Sequence, residues 1–120
     1  MASVVPYLIR AYHQWMEDSD LTPYLLVDCH SPQVQVPSDY IQDHQIVLNI
    51  SSHATDALSI SNEQVFFKAR FGGRTQEVIV PMTSVISIYA AENGEGMMFE
   101  VNQEAEEETP AEGSGLTLLD

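Results

Sequence analysis

The apolar positions form one helical pattern followed by a series of short strand-like runs. Leu8, Ala11, Tyr12, Trp15 and Met16 recur at helical spacing. Pro6 suits a first helical position, and Ser3 is a candidate cap nearby. Glu17, Asp18, Ser19 and Asp20 end the pattern, and Thr22-Pro23 closes it. Those acids lie at the end of the helix that its dipole makes unfavourable for them.

Everything after Pro23 reads as β structure. "YLLVDC" (24–29) is an apolar run between two prolines, and "VQVP" (34–37) alternates. "QIVLNIS" (45–51), "QVFFKARF" (64–71), "QEVIVP" (76–81) and "SVISIYA" (84–90) are rich in strand formers, and "MMFE" follows the turn signal "ENGEG". Gly72-Gly73 marks a hairpin. The spacing predicts a mainly β domain with one N-terminal α-helix, shaped as a compact bent β-sandwich or barrel. The pattern fades near Glu100. Residues 101–120, "VNQEAEEETPAEGSGLTLLD", hold no aromatic and no basic residue. With too little apolar surface to offset ordering entropy, they are expected to be a disordered acidic tail behind a domain of residues 1–100.

Within "QVFFKARF", alternation sets Val65, Phe67, Ala69 and Phe71 on one face and Phe66, Lys68 and Arg70 on the other. Ala69 is short where its row is otherwise large. The resulting dent lets another backbone approach. The helix carries large residues (Tyr7, Leu8, Tyr12, Trp15) around more than half its circumference. Such a stripe either packs on the domain or provides a second contact surface, of which a symmetric dimer is the simplest form.

Charge narrows the field. The chain of 120 residues has a formal net charge of −14, yet three of its four basic residues, Lys68, Arg70 and Arg74, lie on one hairpin. So acidic a surface repels phosphate backbones and anionic membranes, and no apolar run approaches the roughly 20 residues that span a bilayer. The basic hairpin has two readings. It blunts a strand edge against aggregation, or it attracts an acidic peptide to an open edge. The first residues lack the pattern of a signal peptide. A single cysteine, Cys29, forms no internal disulfide, so a reduced, cytoplasmic protein is expected. No nucleophile-elbow or paired-acid motif is present, and His13, His30, His44 and His53 lack metal-ligand spacing. Neither an enzyme nor a cofactor or metal site is expected.

The blocks "PYLIRAYHQW", "LTPYLLVDC", "VQVP", "DHQIVLNIS", "FFKARFGG" and "IYAAENGEGMMFE" resemble, in order, those of the SspB family, the specificity-enhancing adaptors of the ClpXP protease. The resemblance covers residues 5–100. It implies an N-terminal helix on a bent, Sm-like β domain and a homodimer formed through that helix. It also implies a groove for the extended ssrA degradation tag, with a flexible tail tethering cargo to the ClpX unfoldase. Carried onto this sequence, it places Asn49, Ile50, Ser51, Ala54, Phe67, Ala69, Arg70 and Phe71 in the peptide site, and Tyr7, Leu8, Ala11, Tyr12 and Trp15 at the dimer interface. Alternation points Arg70 away from Ala69, so a strongly bent strand is needed to bring it to the groove rim. Family tails end in a basic–apolar motif, whereas "GSGLTLLD" has no Lys or Arg. An Sm-like RNA-associated regulator and a hydrolase with an unrecognised site are the rival expectations.

Overall fold

The structure is a computed structural model that describes residues 3–99. Its elements are a helix α1 (Val5–Asp18) and seven strands: β1 (Pro23–Asp28), β2 (Gln45–Asn49), β3 (Asp56–Ile60), β4 (Gln64–Phe71), β5 (Arg74–Pro81), β6 (Val85–Ala90) and β7 (Gly96–Met98). They form two antiparallel sheets, one in the order β2-β1-β6-β7 and one in the order β3-β4-β5. The chain is thus mainly β with a single N-terminal helix. The expected tail lies outside the described residues.

The helix begins where Ser3 Oγ accepts the Val5 amide at 3.1 Å, with Pro6 in the first turn. It ends in a Schellman-type turn. Asp20 adopts φ +60°, its amide reaches Glu17 O, and the Leu21 amide reaches Met16 O at 2.8 Å. Pro6, Ile9 and Met16 are the helical residues buried in the domain. Of the residues at helical spacing, Met16 is in the core, Leu8 and Tyr12 border it, and Ala11 and Trp15 are exposed.

Alternation explains the core. Ile46 and Leu48 of β2 point inward while Gln45, Val47 and Asn49 are exposed. Val65 and Phe67 of β4 and Val78 and Val80 of β5 do the same for the second sheet. They meet Leu25, Val27, Val85 and Ile88 in one core. Burying each such side chain contributes about 1.5–3 kcal/mol.

Gly72 and Gly73, with φ of +58° and +83°, make the two-residue turn that joins β4 to β5. Positive φ at both positions is the backbone pattern of a type I′ hairpin, and glycine adopts it at little cost. "VQVP" is not a strand. Gln35 makes one isolated bridge to Ile79 on the free side of β5. Strand β3, in "DALSI", lacks the alternation by which the other strands are read. It slips register between Asp56 and Ser59, where Ala57 takes φ +58°.

Candidate functional site

The irregularity in β3 opens a gap beside β4. Strand β3 pairs Ile60 with Val65, Ser59 with Phe66 and Asp56 with Lys68, and the pairing stops there. Strand β4 continues to Phe71, paired on its other side with β5 through Ala69↔Gln76, Arg70↔Thr75 and Phe71↔Arg74. Ala69, Arg70 and Phe71 therefore lie beyond the β3 register, and their edge faces a groove. The groove has a volume of about 510 Å³ and is lined by His53, Ala54, Thr55, Asp56, Lys68, Ala69, Arg70 and Thr75. An edge groove receives side chains from both faces of the strand, which is how Ala69 and Arg70 line it together despite alternation.

The opposite wall is the chain that follows β2. Ile50 is fully buried, and its amide donates to Pro23 O at 3.0 Å. Ser51 is buried too. Its amide donates to Asn49 Oδ1 at 3.0 Å, and its carbonyl accepts the Ala54 amide (3.1 Å) and Thr55 Oγ1 (2.8 Å). This compact turn sets Ala54 and Thr55 toward β4. The helix holds it from outside. Ser52 donates its amide to Glu17 Oε2 and its hydroxyl to Glu17 Oε1, each at 2.8 Å. His13 Nε2 lies 2.9 Å from Ile50 O, and because a carbonyl only accepts, that nitrogen carries the hydrogen. Partial burial pushes the Glu17 carboxyl up, but the Ser52 hydrogen bonds and the nearby His13 and His53 together hold it below its ordinary value.

Of the residues that the resemblance assigns to the site, Ala54, Ala69 and Arg70 line the groove. Asn49, Ile50 and Ser51 build the turn behind its wall. Phe67 is buried directly under the strand, 1% exposed. Phe71 is half-buried just past Arg70, with its ring 5.5 Å from that of Tyr40. His53, Thr55, Asp56, Lys68 and Thr75 line the groove without that assignment. Lys68 is visible in the sequence as a cation, and Thr75 follows from Arg70 by cross-strand register. His53, Thr55 and Asp56 flank Ala54 in sequence, but only the position of β3 sets them against β4.

Lys68 and Arg70 line the groove together with the Asp56 carboxylate. Among the described residues, no carboxylate lies within ion-pair distance of Lys68, Arg70 or Arg74. The fourth cation is used internally: Arg10 donates to Ile60 O at 2.9 Å and to Asn62 Oδ1 at 3.0 Å, and lies 4.7 Å above the Tyr7 ring. Elsewhere, Asp28 accepts from His30 Nδ1 at 2.5 Å, and His30 stacks on His44 with centroids 4.4 Å apart. Cys29 packs against the core. Burial first, and the Asp28 charge second, push its thiol up, away from a reactive thiolate. Among the described residues no cluster of three or more His, Cys, Asp or Glu side chains could hold a metal ion, and no helix is long and apolar enough to cross a membrane.

Comparison with known proteins finds relatives of the sequence. The family model described as "Stringent starvation protein B" matches residues 3–116. A curated protein of Haemophilus influenzae, "Stringent starvation protein B homolog", is 50% identical over 95 residues, which are 79% of this chain and 63% of that protein. The chain thus spans somewhat less than two thirds of that relative's length.

Proposed function

The chain belongs to the stringent starvation protein B family, and on that basis we propose that it is a non-enzymatic adaptor that binds ssrA-type degradation tags as extended peptides. The observation that carries this reading is the edge of β4 at Ala69–Phe71 beyond the β3 pairing, facing a groove lined by the small Ala54 and Ala69 and by Lys68, Arg70 and Asp56. An extended peptide adds to such an edge through main-chain hydrogen bonds, while its side chains fill the spaces left by Ala54 and Ala69. Lys68 and Arg70 favour an acidic sequence. Asn49, Ile50, Ser51, Phe67 and Phe71 take part from behind, by fixing the two walls. In this reading residues 1–100 form the peptide-binding domain, the protein works in the cytoplasm, and bound cargo is handed to the ClpX unfoldase of ClpXP.

The helix supports a homodimer. Tyr7, Ala11 and Trp15 form an exposed stripe that Leu8 and Tyr12 extend toward the core. Tyr7 is 50% and Trp15 42% exposed, an arrangement that a second copy would cover. The adaptor reading is tested by anisotropy titration of a fluorescent ssrA-type peptide into the purified chain, with a scrambled peptide as control. Saturable binding of the tag alone is expected, and equal binding of both peptides would overturn it.

A further inference from the structure

Helix α1 divides its surface three ways. One side enters the core and one is the exposed aromatic stripe. Between them runs a polar row, Arg10, His13 and Glu17, spaced so that all three share a face. This row grips the segment 50–62 at both ends. Arg10 holds the far end at Ile60 and Asn62. His13 and Glu17 hold the near end at Ile50 and Ser52. The groove wall, residues 53–56, lies between these grips.

Glu17 is the unexpected member. It sits in the last turn of the helix, where the macrodipole disfavours a carboxylate, and no Lys or Arg among the described residues pairs with it. Its neighbour one turn back on the helix is His13, whose Nε2 lies 3.9 Å from Glu17 Oε2 but directs its hydrogen to Ile50 O. Its two oxygens instead take both donors of Ser52, the residue immediately before the groove wall. Charge-assisted bonds of this length are the stronger kind.

We propose that Glu17 is a positioning residue for the peptide groove: by holding Ser52 it fixes the distance between the wall 53–56 and the open edge of β4. The inference rests on the peptide-binding reading above. It also joins the helix of the proposed dimer to the groove by direct side-chain contact.

Glu17→Ala separates this role from a merely structural one. Alanine is the better helix former at that site, so a residue serving only the helix surface would leave stability equal or higher and tag affinity unchanged. The expected result is a Kd weakened about tenfold, faster amide exchange at 52–56 and a thermal midpoint modestly below the parent's at neutral pH, because the Ser52 bonds are lost. Ser52→Ala, on an exposed residue, should weaken binding about threefold and keeps the test open should Glu17→Ala lose the fold. The double variant should be no weaker than Glu17→Ala, because both changes break one contact. Parent-like affinity in Glu17→Ala, or fully additive losses in the double variant, would overturn the proposal. If the parent chain binds no tag peptide, the adaptor reading fails instead, and the exchange rates still decide whether Glu17 holds the wall.

Discussion

Ala69 and Phe67 are two positions apart on one strand and carry opposite consequences. Ala69 lines the groove at the margin of the core, so Ala69→Gln should fill the space a peptide backbone needs. Tag affinity should fall at least tenfold by the usual cost of a blocked contact at the centre of an interface, with an unchanged circular dichroism spectrum. Full affinity in that variant would remove Ala69 from the site. Phe67, by contrast, is 1% exposed. Phe67→Ala should destabilise the fold by about 3–5 kcal/mol, read as a lower midpoint in urea, and any loss of binding there would report unfolding. The small residue is legible in the sequence because it interrupts an aromatic row. That Phe67 supports the groove without lining it is not, since alternation assigns a side chain to a face but not to a depth.

Between elements, two carboxylates tie distant segments together, and both respond to acid. Glu17 holds Ser52. Glu92 accepts the Thr22 amide at 2.8 Å and its hydroxyl at 2.7 Å, joining the turn after β6 to the start of β1. The Thr22 hydrogen bonds, the amide's first, lower the Glu92 carboxyl; for Glu17 partial burial pushes up, and the Ser52 bonds with His13 and His53 together bring the net shift down. A carboxyl depressed in the folded state binds fewer protons there than in the unfolded chain. Its stabilisation is complete above the ordinary value of 4.5 and is lost as pH falls through the lower folded value. Thermal midpoints should therefore be level near neutrality and drop in acid, and Glu17→Ala should make that drop shallower; an equally steep drop would contradict the assignment. The aromatic stripe carries a prediction of its own. Trp15 is partly exposed in the single chain, so Trp15→Glu should leave the fold intact and yield a monomer in sedimentation, whereas the parent is expected to be a dimer at micromolar concentration. A parent monomer would end the dimer proposal. The helix is legible in outline from the sequence, but its inward face is not, because large aromatic residues lie on the exposed side while Ile9 faces the core. Strand β3 is hidden for a physical reason: a bulge with a left-handed alanine breaks the alternation by which strands are read. "VQVP" alternates convincingly yet makes only a single bridge. The groove edge exists because β3 breaks away from β4, so the sequence without that strand locates the site only approximately.

Over the molecule as a whole, the adaptor proposal must explain how a chain of net charge −14 would attract an acidic peptide. Arg10 is occupied within the fold, leaving Lys68, Arg70 and Arg74 together at one end of the β4–β5 hairpin. Repulsion over the remaining surface and attraction at that end orient an approaching anion. Raising the ionic strength should slow association more than it speeds release, because screening acts on the encounter. All of this depends on the peptide adding at the open edge of β4. Backbone amide resonances of the chain, followed while an ssrA-type peptide is titrated in, report on that edge residue by residue. The largest shifts should fall on residues 53–56 and 68–71 and on Thr75, with slowed exchange for amides of Ala69–Phe71 that a new strand would cover. Shifts confined to the helix stripe or to the β7 edge, with 68–71 unmoved, would place the peptide elsewhere and refute the edge-addition reading.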